Sequence, residues 1–359
     1  MNKKELFLIW CNYNGLNFSK LEKILANFND FEEIFDKNNT QNAFFDESIN
    51  SIIQNLQNED MKNFEQVVTR EMERYNVKPV TYWSEEYPDK LKVISDPPLV
   101  IYTKGDVSLL KKKSISIVGT RKPTMYGKIV CENFTKELSS AGLVTISGLA
   151  YGIDTIVAEK TLEAGGKTIA VLAGGLDSIY PAQNTSLAGR ILETGGLLVS
   201  EYKIGTKPVN YQFISRNRIV SALGLGTLIV EAGKSSGTMT TANFALEQSR
   251  ELFAIPGNIN SSQSEGTNSL IDQMPDIFTI SPERILYKLN IRKKSAPKSE
   301  VQIEMGENKI IELLSTGEKT FDELCDGTGM SASELSTKLI KMEMFGMVKK
   351  GPSNTYYKM

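Results

Sequence analysis

SISIVG (114–119) runs into TRKP (120–123), VTISG (144–148) into LAYG (149–152), and TIAVLAGG (168–175) into LDSIYP (176–181). LLVSE (197–201) then leads into YKIGTKP (202–208), TLIVEAG (227–233) into KSSGT (234–238), and ELFAIPG (251–257) into NINS (258–261). Each is an apolar strand that ends in a loop of small or basic residues. Helical segments separate them; in the first, Val130, Phe134, Leu138 and Ala141 form one apolar stripe. Repeated strand–helix units predict an α/β fold, an extended Rossmann-like doubly wound parallel sheet. Such a sheet gathers all six loops outside the carboxyl ends of its strands. Small residues there leave backbone N–H groups uncovered, and the following helix N-termini add positive potential. The expected product is an anion groove. With no His in the chain and no paired acids near these loops, we read it as a groove that holds phosphates and performs no chemistry.

Outward from the core, residues 1–80 read as a small helical domain. Leu6, Phe7 and Trp10 begin one apolar face, and Leu21, Ile24, Leu25 and Phe28 form another. Asn14-Gly15-Leu16-Asn17-Phe18-Ser19-Lys20-Leu21 is a turn followed by a helix, SAM- or helix-hairpin-helix-like, with Asn17 where the second hairpin glycine is expected. Two readings stand: a turn that meets a DNA phosphate, or a small packing domain. A Pro-rich entry (Tyr87-Pro88, Asp96-Pro97-Pro98) leads into the core, taken as 81–290. The run RKKSAPK (292–298) marks a basic linker, 291–303. In 304–359, helices at Lys309–Leu314, around Phe321–Leu324 and at Ser331–Phe345 precede a hairpin around Gly351-Pro352-Ser353-Asn354, which predicts a winged helix with Leu335, Leu339 and Met342 inside.

Composition narrows the function. The 359 residues carry a net charge of −2, so nucleic-acid affinity has to come from a local patch. Cys11, Cys131 and Cys325 form no CxxC pair, which argues against a zinc site or a Cys/His nucleophile and fits a reducing cytoplasm. The apolar run Leu6–Cys11 is too short for a signal segment, and no run approaches the ~18 apolar residues of a membrane span. No cofactor or metal is expected.

Several motifs bear on what the groove can hold. After Gly119 the residues TRKPTMYG do not follow GxGxxG, and the second strand ends Ser147-Gly148 with no acid for a ribose, which disfavours a nicotinamide cofactor. Gly165-Gly166-Lys167-Thr168 imitates a Walker A loop, but the first glycine would fall at Thr161 and a strand follows. Arg216-Asn217-Arg218 reads as two guanidinium forks near a helix start, one for phosphate and one for structural pairing with Glu201 or Glu231. Lys234-Ser235-Ser236-Gly237-Thr238 is a run of small residues before a helix, suited both to an anion and to N-capping. Lys207, Tyr211 and Phe213 share one segment, a cation with rings as in single-strand grooves; we read Phe213 as core and Tyr211 as the stacker.

Together, GTRKPTMYG, SGLAYGID, AVLAGGLDSIYPAQN, SEYKIGTKP, FISRNRI, VEAGKSSGTMTTANFALEQSR, AIPG and EGTNSLI resemble the DNA-processing protein A (DprA/Smf) family. The resemblance extends to both flanking domains. It implies a single-stranded DNA-binding protein that loads RecA during natural transformation, helps RecA past single-strand-binding protein and forms a homodimer through the Rossmann-like core. By motif it implies a binding site of Gly119, Thr120, Arg121, Gln183, Asn184, Lys207, Tyr211, Arg216, Asn217, Arg218, Ser236, Gly237 and Thr238. Family members often carry His four residues after the Asp of GID; Ala158 stands there in this chain.

Two alternatives compete. A nucleotide-sensing Rossmann module would use the same arginines. A phosphoribohydrolase of the lysine-decarboxylase-like family would need PGGxGTxxE, but Thr241 occupies the place of the Glu. Residues 304–359 hold seven Lys against nine Asp or Glu, which favours a protein-contact or regulatory role for the winged helix over duplex reading.

Overall fold

A computed structural model describes residues 1–26, 28, 31–36, 47–291, 305–344, 347–351 and 354–358. The basic linker, Phe345 and the hairpin tip at Pro352-Ser353 lie outside the described residues. By compactness the chain divides into two units, Met1–Lys294 and Ser295–Met359.

The first unit begins with helices α1 (Lys3–Tyr13), α2 (Phe18–Ala26), α3 (Glu47–Asn58) and α4 (Met61–Tyr75). Then come β1 (Lys78–Thr81), α5 (Asp89–Lys92) and β2 (Val100–Gly105). The core alternates β3 (Ser114–Val118), α6 (Met125–Ser140), β4 (Val144–Ser147), α7 (Ile153–Glu163), β5 (Thr168–Leu172), α8 (Thr185–Glu193) and β6 (Leu197–Ser200). It continues with α9 (Asn210–Leu223), β7 (Gly226–Ile229), α10 (Gly237–Glu247), β8 (Glu251–Ala254), α11 (Glu265–Gln273) and α12 (Pro282–Lys288).

Among the described residues these strands make one eight-stranded sheet in the order β1-β2-β6-β5-β4-β3-β7-β8. The six strands read from the sequence are all present and mutually parallel. β2 and β1 extend that sheet in antiparallel fashion; the sequence reading left β2 in the Pro-rich entry and most of β1 at the end of the helical domain 1–80. β3 and β5 are buried along their whole length, as strands covered on both faces must be. One face packs Ile115, Ile117 and Leu228 against Phe134 and Leu138 of α6 and Val157 of α7. The other packs Ile146, Val171 and Ile229 against Ile219 and Val220 of α9 and Ala242 of α10. Strand order reverses between β3 and β7, so the sheet has its switch point there.

The N-terminal helices share a core with the sheet's far side. Phe7, Trp10 and Leu21 belong to one apolar cluster with Tyr102, Leu172, Leu187 and Leu198. Tyr102 donates its hydroxyl to Asn12 Oδ1 at 2.8 Å, and Asn12 Nδ2 donates to the Glu201 carbonyl at 3.1 Å. Asn17 uses its side chain to cap α2, accepting from the Lys20 N–H at 3.1 Å. The residue at the second hairpin-glycine position therefore serves its own helix.

The second unit contains α13 (Met305–Leu314), β9 (Lys319–Thr320), α14 (Phe321–Thr328), α15 (Ala332–Met344), β10 (Val348–Lys350) and β11 (Thr355–Lys358). The strands pair antiparallel in the order β10-β11-β9. Leu335, Leu339 and Met342 are buried with Ile310, Leu324 and Tyr356, the winged-helix core expected from their spacing. Among the described residues no helix is long and apolar enough to cross a membrane.

The shared core makes the N-terminal helices and the sheet one cooperative unit. Trp10→Ala should cost about 3–5 kcal/mol. Urea unfolding followed on the sheet should then shift to a lower midpoint together with the helices; a sheet transition that stayed in place would show two independent units.

Candidate functional site

Five of the six core loops, those after β3, β4, β5, β7 and β8, line a cleft of about 510 Å³ at the switch point, together with α9 and α10. β3 ends in Gly119-Thr120-Arg121-Lys122. Thr120 N–H donates to the Glu231 carbonyl beyond β7 at 2.8 Å, and its hydroxyl donates to Gln263 Oε1 at 2.7 Å. This loop is thus pinned at its root while Arg121 and Lys122 remain exposed. The Arg121 guanidinium lies over the Phe213 ring, 5.4 Å from its centroid.

The β4–α7 turn presses against the β3 loop. Gly152 has φ +78°, and a Cβ there would stand 2.4 Å from the Thr120 carbonyl oxygen. Only glycine meets both demands. The turn is closed by the buried Asp154, whose carboxylate accepts from the N–H groups of Gly148 at 2.9 Å and Ala150 at 3.4 Å.

Arg216, only 4% exposed, reaches across the floor from α9. Its Nη1 donates to the Gly148 carbonyl at 2.7 Å and to the Val171 carbonyl at the end of β5. Nε donates to Asn217 Oδ1 at 3.2 Å, and Asn217 Nδ2 in turn donates to the Gly237 carbonyl at 3.3 Å. Burial pulls the Arg216 pKa down, and Asp154 opposes that shift. Burial pushes the Asp154 carboxyl above its ordinary range, with Arg216 and the backbone N–H groups opposing. Across the cleft Ser236 caps α10, its Oγ accepting from Thr238 N–H at 3.1 Å. The charged lining residues are Arg121, Lys122 and Arg216 against Asp154, so the wall is net positive.

Of the residues expected from the sequence, the cleft brings together Gly119, Thr120, Arg121, Arg216, Asn217, Ser236, Gly237 and Thr238. Gln183, Asn184, Lys207, Tyr211 and Arg218 do not line it. Asn184 is buried and donates to the Leu149 carbonyl at 2.9 Å, which supports the β4–α7 turn. Gln183 accepts from the exposed Tyr151 hydroxyl. Arg218 pairs with Glu201 at 2.6 Å and with Asp96 at 3.4 Å. Glu231 is taken by Thr124, from its N–H at 2.9 Å and its hydroxyl at 2.6 Å.

Two expectations need correction. The arginines do not stand at a helix start: α9 begins at Asn210, where Val209 N–H is capped by Gln212 Oε1 at 2.7 Å. First-turn residues of α7 (Asp154), α9 (Asn210) and α10 (Gly237, Thr238) all line the cleft. Phe213 is not core. It is half-buried and lines the cleft, 5.5 Å from the Tyr180 ring. Phe213, Arg216, Asn217 and Val220 form one i, i+3, i+4, i+7 stripe facing the cleft, and Tyr211, 69% exposed, lies off it. Lys122, Tyr180 and Gln263 were missed. The first two lie inside quoted motifs, GTRKPTMYG and AVLAGGLDSIYPAQN; Gln263 is far away in sequence and arrives only through tertiary folding.

The family model described as DNA recombination-mediator protein A matches residues 78–290, and the DprA winged helix domain model matches 294–354. DNA processing protein DprA of Bacillus subtilis is 44% identical over 209 residues, 56% of this chain and 70% of that protein. Protein Smf of Escherichia coli is 36% identical over 274 residues, 74% of this chain and 73% of its own. The crystal structure of DNA processing protein A from Streptococcus pneumoniae superimposes with a TM-score of 0.65 at 29% identity, covering 80% of this chain and 99% of that one. A structure of the Helicobacter pylori protein, described for that protein's single-stranded DNA binding mode, gives a TM-score of 0.54 at 32% identity, covering 60% and 95%.

The buried cation can be tested without any ligand. Arg216→Met should cost about 3–5 kcal/mol, because Asp154 and two strand-end carbonyls lose their partner. Asp154 would then sit still higher. An acid whose folded pKa exceeds its unfolded value loses stability as pH rises through that window. The variant's stability should therefore fall more steeply than the wild type's between pH 4 and neutrality in thermal melts.

Proposed function

This chain belongs to the DNA recombination-mediator protein A family, and from that premise we propose that its cleft binds single-stranded DNA through the phosphate backbone. The observation that carries the reading is the convergence of Arg121, Lys122, Arg216 and the capped N-terminus of α10 on one cleft at the sheet's switch point. Guanidinium forks and uncovered helix N–H groups are both phosphate ligands, and neither discriminates among bases. Phe213 and Tyr180 add rings on the same wall, as single-strand tracks require. Asp154, the lining carboxylate, is engaged by two backbone N–H groups and held beside Arg216, which favours binding over acid–base chemistry.

In this reading Gly119, Thr120, Arg121, Asn217, Ser236, Gly237 and Thr238 meet the strand, and Arg216 supplies fixed potential from below. Lys207 and Tyr211, exposed before and at the start of α9, extend the track outside the cleft. Gln183, Asn184 and Arg218 act from behind, by holding its rim and α9. The bound strand would be handed to RecA in natural transformation, in the cytoplasm, with the protein acting as a homodimer and helping RecA past single-strand-binding protein. Residues 1–80, 81–290 and 304–359 would serve as accessory, binding and regulatory parts.

Fluorescence anisotropy with labelled oligo-dT and matched duplex tests this. Single strand should bind more tightly, and log K should fall with log salt by about 0.7 per phosphate neutralised. Arg121→Ala should weaken binding about tenfold without changing the melting temperature, as expected for a charge-assisted bond lost from an exposed site. Lys207→Ala should weaken it less. A flat salt response would sink the reading.

A further inference from the structure

A second pocket of about 630 Å³ adjoins the phosphate cleft on the same sheet edge, at the ends of β7 and β8. The two share a wall. Thr120 and Gln263 line the cleft and are joined by a 2.7 Å hydrogen bond. Glu231, whose carbonyl accepts from Thr120, lines the pocket together with Ser261 and Ser264, which flank Gln263 in sequence.

The lining is suited to a flat heteroaromatic ring. Tyr126, 46% exposed, stands at one side and is fixed by its hydroxyl donating to the Pro256 carbonyl at 2.7 Å. Pro256 and Gly257 also line the pocket. Gly257 is held in place by Asn268, which accepts from its N–H at 3.0 Å and donates to its carbonyl at 3.1 Å. Ser264, only 1% exposed, also lines the pocket, with its hydroxyl lying against Gly257. Glu231 spends one acceptor site of each oxygen on Thr124, which leaves further lone pairs on the carboxylate. Met125 and Ile259, beside the lining residues Tyr126 and Asn258 in sequence, are strongly exposed.

We propose that this pocket takes one nucleobase of the strand whose phosphates occupy the adjoining cleft. The proposal rests on the strand-binding reading above. The base stacks on Tyr126 and turns its polar edge to Ser264 and Glu231. Strand and protein would then be held in register, because a seated base fixes where the neighbouring phosphates fall.

The test compares oligo-dT with an abasic strand of equal length and charge, using the full-length protein. Tyr126→Ala should weaken oligo-dT by about fivefold or more, the range of one lost base stack, and leave the abasic strand unchanged. Ser261→Leu, which fills the pocket and keeps the ring, should give the same pattern. Equal losses on both strands, or no loss on oligo-dT, would overturn the base pocket and leave backbone binding intact. Failure of the wild-type protein to bind either strand would overturn the strand-binding reading and the pocket with it.

Discussion

The cleft depends on one buried guanidinium. Arg216 lies beneath the loops of β4 and β5 and donates to carbonyl groups at the ends of both. A charge so far from water is tolerable only when its donors are used and an opposite charge is near. The two carbonyls and Asp154 meet that condition, and Asp154 in turn closes the β4–α7 turn through two N–H groups. The same constraint dictates sequence at a distance. A Cβ on Gly148 would stand 2.5 Å from the guanidinium, so the strand end beside Arg216 must carry no side chain.

From that floor the remaining contacts follow as a chain of pinned loops. Gly152 brings the β4 turn against the β3 loop. Thr120 ties that loop to β7 through the Glu231 carbonyl and to Gln263 beyond β8. The Glu231 carboxylate caps α6 by way of Thr124. Arg218, one residue past Asn217 on α9, is drawn the other way, to Glu201 at the end of β6. Neighbouring arginines of one motif thus have opposite duties because helical period turns them about 100° apart per residue, and the third in the set, Asn217, bridges α9 to α10.

The strands were legible because they are short apolar runs with both faces buried, and the loops because Gly, Ser and Thr cluster at their ends. The eight cleft residues found from sequence sit in those loops or in one helix motif. What escaped was geometry set at long range. Placing the start of α9 at Asn210 required seeing Gln212 cap Val209, and the position of Phe213 follows only once that start is known. Gln263 bears no motif and reaches the site by the path of the chain after β8. The N-terminal helices gave a clear apolar period, but nothing local in Phe7, Trp10 or Leu21 says that their partners are Tyr102 and Leu172 on the sheet.

The placement of charge also separates affinity from architecture. Arg121 and Lys122 are exposed on a loop pinned at Thr120, so their charge is presented to solvent. Arg216 is buried and held by strand-end carbonyls, so its potential is oriented by the fold itself. Residues 304–359 contribute no such field, since acids outnumber lysines there. In a chain of net −2, the cleft at the sheet's switch point thus stands out by its charge, three lining cations against one hydrogen-bonded carboxylate.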